Sequence, residues 1–397
     1  MMHDAPAVSA HVHGRSESQF THLREVFARH FTEYDELGAA VAVTLGGELV
    51  VDLWGGWKDP DRTQPWTSET RAPLFSGTKA ITGLCFAMIV DRGLATYDDL
   101  VCAYWPEFGT AGKEVITIGH LLSHSAGLTG WVSPMTVEDM LDAEVARARL
   151  LPQAPFWPPG TACGYHAFAV GPVLDKIFQL IEGRSLRRFV AEEIAKPFNL
   201  DISIGLEPED FGKAAEVVTA DKDFNFGNFF KGKGSFTAEK PQNPNLSPAQ
   251  AAVVNPVFDG RYANTPLWRG AELPSANGFG CARSMAQLYA LVLGHRRNGA
   301  VLARAEAMAE ARRVRAEGLD QVKSSPSRWS AGFSINEGLY GPNRDTFFHA
   351  GMGGTFSLGD PVADVTMSYT PNRLGDLFER EPRRRGLVTA LYECLSA

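Results

Sequence analysis

The first apolar pattern with helical spacing lies in SESQFTHLREVFARHFTEY, where Phe20, Leu23, Phe27 and Phe31 fall on one face. The period then changes. AAVAVTLGGELVVDLWGG reads as two strands about the Gly46–Gly47 pair, which is a hairpin signal. A helix followed by a hairpin predicts a helix packed on an antiparallel sheet. From Ser76, helical spacing returns through Ile81, Leu84, Cys85, Met88 and Ile89, and Gly93 suits the end of that helix. Between about 100 and 220 the signals are mostly helical. Thr136 and Asp139 resemble a capping box ahead of MLDAEVARARLL, with Asp in place of the usual Glu or Gln. GPVLDKIFQLIEGRS and SLRRFVAEEIAKPFNL read as amphipathic helices, punctuated by Gly183 and Pro197.

Residues 221–275 break this order. DFNFGNFFKGKGSFTAEKPQNPNLSP is rich in Phe, Asn, Gly and Pro and has no clean period. A long loop inside a folded domain is often a lid over an active site, the alternative being a surface excursion. SANGFGCARSMAQLYALVLG then predicts a helix after a glycine turn, and WSAGFSINE, GGTFSLGDP and DVTMSYTP read as strands. LVTALYECLSA predicts a final helix. The outline is sheet and helix at both ends of the chain with a helical middle, and no internal repeat.

Composition narrows the function classes. With 397 residues, 44% hydrophobic and 21% charged, the chain can bury a sizeable core. Its 38 basic and 46 acidic residues give a net charge of −8, which argues against a nucleic-acid partner. EPRRRG (381–386) is the densest basic run and reads as a solvated turn before the last helix. The cysteines Cys85, Cys102, Cys163, Cys281 and Cys394 are scattered, with no CxxC pair, as expected for reduced thiols in a cytoplasmic enzyme. MMHDAPAVSAHVHGR lacks the basic-then-apolar pattern of a signal peptide, and no stretch approaches the ~18 apolar residues of a membrane span.

Three segments carry candidate chemistry. In PLFSGTKAITGLC, Ser76 and Lys79 stand three apart at a helix start, on one face. Such a pair is common by chance, and its plain reading is a capping serine with a solvated lysine. PPGTACGYHAFAVG places Tyr165 just before a helix, and FFHAGMGGTFSLGDP places His349-Ala350-Gly351 at the end of a strand, before a glycine-rich turn. Other motifs are weaker. His120 and His124 have the i, i+4 spacing of zinc ligands, but no glutamate follows His120 and no third ligand is evident. SHSAG and TFSLG lack the first glycine of a nucleophile elbow. GMGG lacks the Lys-Ser/Thr of a phosphate loop and reads as a tight turn.

Taken in order, SxxK, Tyr and a basic-x-Gly segment resemble the serine β-lactamase and penicillin-binding-protein superfamily. The chain looks most like its class C β-lactamase-like esterases, the family VIII carboxylesterases. VVDLWGGWKDP, YWPEFGTAGKEVITIGHLLSHSAGL and PFWPPGTACGYHAF share that likeness. The resemblance implies an α+β fold: an antiparallel sheet flanked by helices, with a helical domain inserted. The expected boundaries are a flexible N-terminus at 1–16, an α/β domain at 17–97 and 276–397, and a helical domain at 98–275 that includes the lid 221–275.

The resemblance also assigns roles. Ser76 matches the nucleophile, Lys79 the lysine beside it, and Tyr165 the tyrosine that carries protons to the leaving group. His349 occupies a lysine position, and the backbone N–H groups of Ser76 and Met352 match the oxyanion donors. His349, Gly351, Met352 and His166 are expected to contact substrate. His166 is included because its neighbour Tyr165 faces the cleft, the alternative being that it faces the core. A serine hydroxyl needs a base. Either a lysine neutralised by burial or a Tyr165 phenolate held by a charged Lys79 could serve, and the two titrate together.

Two positions depart from the lactamase pattern: Ala167 replaces an asparagine, and His349 replaces the lysine that helps receive a substrate carboxylate. A largely neutral histidine is the weaker anion anchor. The expected function is therefore a serine hydrolase cleaving short-chain carboxylic esters through an acyl-enzyme. A β-lactamase or a D-amino-acid amidase or peptidase is the alternative. No cofactor, metal, nucleic-acid or membrane partner is expected; the substrate is a small ester, and the protein a monomer or homodimer.

Overall fold

The computed structural model describes residues 12–219, 246–375 and 382–396. The first eleven residues of the expected flexible terminus, and 221–245 of the expected lid, lie outside the described residues.

Nine strands make the main antiparallel sheet. They are β1 (His13–Ser16), β2 (Gly38–Leu45), β3 (Glu48–Gly56), β8 (Ala316–Leu319), β9 (Pro326–Trp329), β10 (Ser334–Ile335), β11 (Phe347–Ala350), β12 (Phe356–Asp360) and β13 (Val365–Pro371). The spatial order is β1-β3-β2-β13-β12-β11-β10-β9-β8. Both ends of the chain therefore share one sheet, joined where β2 pairs with β13 (Val41 opposite Tyr369). The Gly46–Gly47 hairpin forms as expected between β2 and β3. His13–Ser16, expected to be flexible, instead form the edge strand β1, paired along β3 from Trp54 to Val51.

Helices Thr21–Glu33 and Pro382–Ser396 pack on one face of the sheet. Phe20, Leu23, Phe27, Leu387 and Leu391 meet Val41, Val51, Met367 and Tyr369 there. Burying each such side chain contributes about 1.5–3 kcal/mol. Helix Ala282–Val292 lies on the other face, against β2 and β13. Covered on both faces, β2 reads as an unbroken run, GAAVAVTL, rather than an alternating one.

Between β3 and β8 the chain is mainly helical, including Thr78–Asp91 and Val170–Glu182. The Thr136–Asp139 capping box is present, and Gly183 ends Val170–Glu182 in the left-handed conformation. Helix Thr78–Asp91 is buried all round from Thr78 to Ile89. A second small sheet, β4 (Ala72–Phe75), β7 (Gly278–Gly280) and β5 (Ile202–Ile204), brings the start of that helix against a distant segment.

The basic run 381–386 corrects one expectation. From Pro382 it belongs to the last helix, and Arg383 and Arg384 are buried. Arg383 pairs with Glu36 at 2.5 Å, 347 residues away, and donates to Gly353 O (3.0 Å) and Arg373 O (3.1 Å). Glu36 also accepts from the Tyr369 hydroxyl. Sequence shows three adjacent charges; it does not show the carboxylate that folding brings to them. A buried pair is costly to break singly, because the remaining charge stays buried. Glu36→Ala is expected to lower unfolding free energy by about 3–5 kcal/mol, read as a fall in the urea midpoint. A change below about 1 kcal/mol would contradict this burial account.

Candidate active site

Strand β4 delivers the chain to Ser76 through a strained turn. Phe75 has φ 45°, a left-handed value that is uncommon for a bulky residue. Gly77 N donates to Leu74 O (2.9 Å) and Lys79 N to Ser76 O (3.0 Å), so the turn runs directly into the helix Thr78–Asp91. Thr78 pins it. Its hydroxyl donates to Phe75 O (2.6 Å) and accepts from Gly278 N (2.7 Å). Ser76 thus sits two residues ahead of a helix N-terminus, where the helix dipole adds partial positive charge.

Lys79, one turn in, is buried beside it. Its Nζ lies 3.3 Å from Ser76 Oγ and donates to Ala167 O and Ser275 O, both at 2.7 Å. The Tyr165 hydroxyl donates to Ser76 Oγ at 2.5 Å. Three groups from positions 76, 79 and 165 thus converge on one oxygen. Burial moves both titrating groups toward neutrality. It pushes Lys79 well below the ordinary lysine value and lifts Tyr165 above the ordinary phenol value.

His349 stands at the end of β11 with its side chain buried. Nδ1 contacts Ala350 O at 3.0 Å. Burial, with Lys79 nearby, pulls its pKa down to about 3, so the ring is neutral at pH 7. The turn after it is held close to the serine. A Cβ on Gly351 would lie 2.3 Å from Leu74 O, so only glycine lets the backbone pass there. Gly351 N is committed to Thr355 O (2.8 Å). Met352 follows, beginning the turn Met352–Gly354, whose Gly353 carbonyl Arg383 holds.

His166 does not face substrate. It is fully buried, and its Nε2 accepts from Leu128 N (3.3 Å). Residues 165–167 belong to no helix or strand, and the two neighbouring side chains take separate partners, Tyr165 meeting Ser76 and His166 meeting Leu128. His120 and His124 are structural. His120 Nδ1 accepts from Thr117 N (3.3 Å), closing a capping box. His124, at φ 58°, accepts from His166 N (3.2 Å) and packs under Tyr165 (ring centroids 5.0 Å). Among the described residues no group of three or more His, Cys, Asp or Glu side chains could hold a metal ion.

A small compartment of about 40 Å³ adjoins Tyr165 and His349, walled by Trp329, Phe348, Tyr340 and Arg384. Sequence reasoning missed Thr78, Ser275, Trp329 and Arg384. The first two act through hydrogen bonds to segments about 200 residues away, a pairing that no local pattern encodes.

The Beta-lactamase family model matches residues 23–391. The chain belongs to the Beta-lactamase family. Among curated relatives of this Beta-lactamase family member, the Esterase/beta-lactamase LipL of Mycobacterium tuberculosis is 30% identical over 379 residues, covering 94% of this chain and 85% of that protein. The crystal structure of a family VIII carboxylesterase superposes with a TM-score of 0.87 at 34% identity, covering 97% of this chain and 100% of that one. A penicillin-binding-protein homologue from Caulobacter crescentus gives 0.86 at 33%, with coverage of 97% and 100%. The expected β-lactamase/transpeptidase-like fold is thereby established, and the protein is a serine hydrolase. Among the described residues no helix is long and apolar enough to cross a membrane.

Proposed function

We propose that the protein is an esterase that cleaves short-chain carboxylic esters through an acyl-enzyme on Ser76. The observation that carries this reading is the placement of Ser76 Oγ between Tyr165 Oη (2.5 Å) and Lys79 Nζ (3.3 Å). A neutral amine has two N–H bonds and one lone pair. With the N–H bonds spent on Ala167 O and Ser275 O, the lone pair is left for the serine proton. Oγ attacks the ester carbon as its proton passes to Lys79. The backbone N–H groups of Ser76 and Met352 receive the oxyanion. Tyr165 gives its proton to the departing alkoxide and is reprotonated from Lys79. Water then attacks the acyl-enzyme, the same pair takes and returns a proton, and the acid leaves.

Neutral His349 argues for a neutral ester, and the modest compartment for a small one. A second reading, β-lactam hydrolysis, is favoured by Arg384 and Lys323, which put cations in the same wall, and by the dual name of LipL. Side-by-side kinetics decide. kcat/KM for p-nitrophenyl butyrate is expected to exceed that for nitrocefin by at least about tenfold, with acyl groups beyond about six carbons disfavoured. The opposite order would establish the lactamase reading instead.

A further inference from the structure

We propose that Asp320 is the positioning residue that aims Tyr165 at the leaving alcohol. This inference rests on the esterase reading above. Asp320 directly follows the edge strand β8 and is fully buried. A buried carboxylate is tolerated only when its oxygens are well supplied with donors, and this one takes four. Oδ1 accepts from Tyr165 N (3.2 Å), Val322 N (2.9 Å) and Lys323 N (2.8 Å), and Oδ2 accepts from Trp329 Nε1 (3.2 Å).

Two of these bonds bear on the phenol. The bond to Tyr165 N, together with Gln321 N donating to Cys163 O (2.9 Å), staples the turn 320–325 onto the segment that carries Tyr165. The bond to the indole fixes Trp329, whose ring stacks on the Tyr165 ring at 5.7 Å and 18°. His124 packs edge-on against both rings, 4.4 Å from the indole and 5.0 Å from the phenol, so the stack has little room to slide. One carboxylate therefore holds both the backbone and the ring partner of the proton carrier. The Tyr165 hydroxyl must serve Ser76 at 2.5 Å and then reach the leaving oxygen, a task in which small misplacement is costly.

The test separates positioning from mere stability by varying how much the leaving group needs a proton. A p-nitrophenolate leaves without one; a benzyl alkoxide does not. With butyrate esters of both alcohols, kcat/KM reports acylation, and active sites are counted by fluorophosphonate labelling. Asp320→Asn keeps an acceptor for the backbone N–H groups but turns an amide donor toward Trp329. Its kcat/KM is expected to fall about 100-fold on the benzyl ester and about fivefold on the p-nitrophenyl ester. Equal losses on the two esters, or no loss, would overturn the proposal. If Asp320→Asn is not recovered folded, Trp329→Phe decides. It keeps an aromatic ring beside Tyr165 while removing the indole N–H together with the fused pyrrole ring, and it must skew the two esters in the same sense by about threefold or more; no skew overturns the proposal. A wild-type protein that hydrolyses neither ester, or whose activity survives Ser76→Ala, would instead bring down the esterase reading itself.

Discussion

Ser76→Ala is expected to lower kcat/KM for p-nitrophenyl butyrate by about 10⁴-fold or more and to abolish fluorophosphonate labelling. The size follows from the position of Oγ. In the proposed mechanism it is the attacking atom, and it is the atom on which Tyr165 and Lys79 both converge. Without it, neither proton carrier has a nucleophile to activate, and only binding and the oxyanion donors remain. Folding should be little affected. The turn is held by Gly77 N to Leu74 O and by Thr78, none of which uses the serine side chain. Removing one partly sheltered hydroxyl from it is a small perturbation, so the thermal midpoint should stay within a few degrees. Turnover within a few-fold of wild type would place the nucleophile elsewhere.

How far the sequence reached depends on how local each feature is. The Gly46–Gly47 hairpin, the Thr136 capping box and the Gly183 helix end are decided by residues a few positions apart, and each stands as read. The convergence of positions 76, 79 and 165 came from likeness to a family, since spacing alone made Ser76 and Lys79 an ordinary helix start. The misreadings share another cause. His166 adjoins Tyr165 in sequence, yet its ring is held by Leu128 N while the Tyr165 hydroxyl meets Ser76. Arg383 looked solvated because its carboxylate, Glu36, lies at the other end of the chain. Asp320 had no signal at all: a single acid in GLDQVKSS gains meaning only when Tyr165 and Trp329 arrive beside it.

The same non-local logic explains why Lys79 can be a base without a neighbouring cation. A lysine ammonium on the surface is stabilised by water. Here the side chain is buried, with the Tyr165 ring 4.9 Å from Nζ, and the nearby imidazoles of His124, His166 and His349 are themselves driven neutral by burial. The carbonyls of Ala167 and Ser275 orient the amine in place of the asparagine that the lactamase pattern would supply at 167.

Two consequences follow for Lys79, and both have signs that can be checked. Lys79→Arg is expected to lower kcat/KM by about 10³-fold or more, because a guanidinium is charged at every working pH and has no lone pair for the serine proton. Lys79→Met should lose as much, for want of any base. In the wild type, burial depresses the Lys79 pKa, so the neutral amine predominates above that depressed value, and activity falls as pH drops through it. Folding shows the same group from the other side. The unfolded chain carries a protonated Lys79 up to about pH 10.4, while the native state does not; unfolding therefore takes up a proton, and stability rises with pH between the depressed native value and that limit. Lys79→Met removes this uptake, so the slope of unfolding free energy against pH, measured by urea titration between about pH 8 and 9.5, should fall, by at most the one-proton limit of about 1.4 kcal/mol per pH unit. The two measurements test one claim. If Lys79→Arg keeps activity within about tenfold of wild type and the slope is unchanged in Lys79→Met, then the lysine is charged in the native state, and a Tyr165 phenolate takes the serine proton instead.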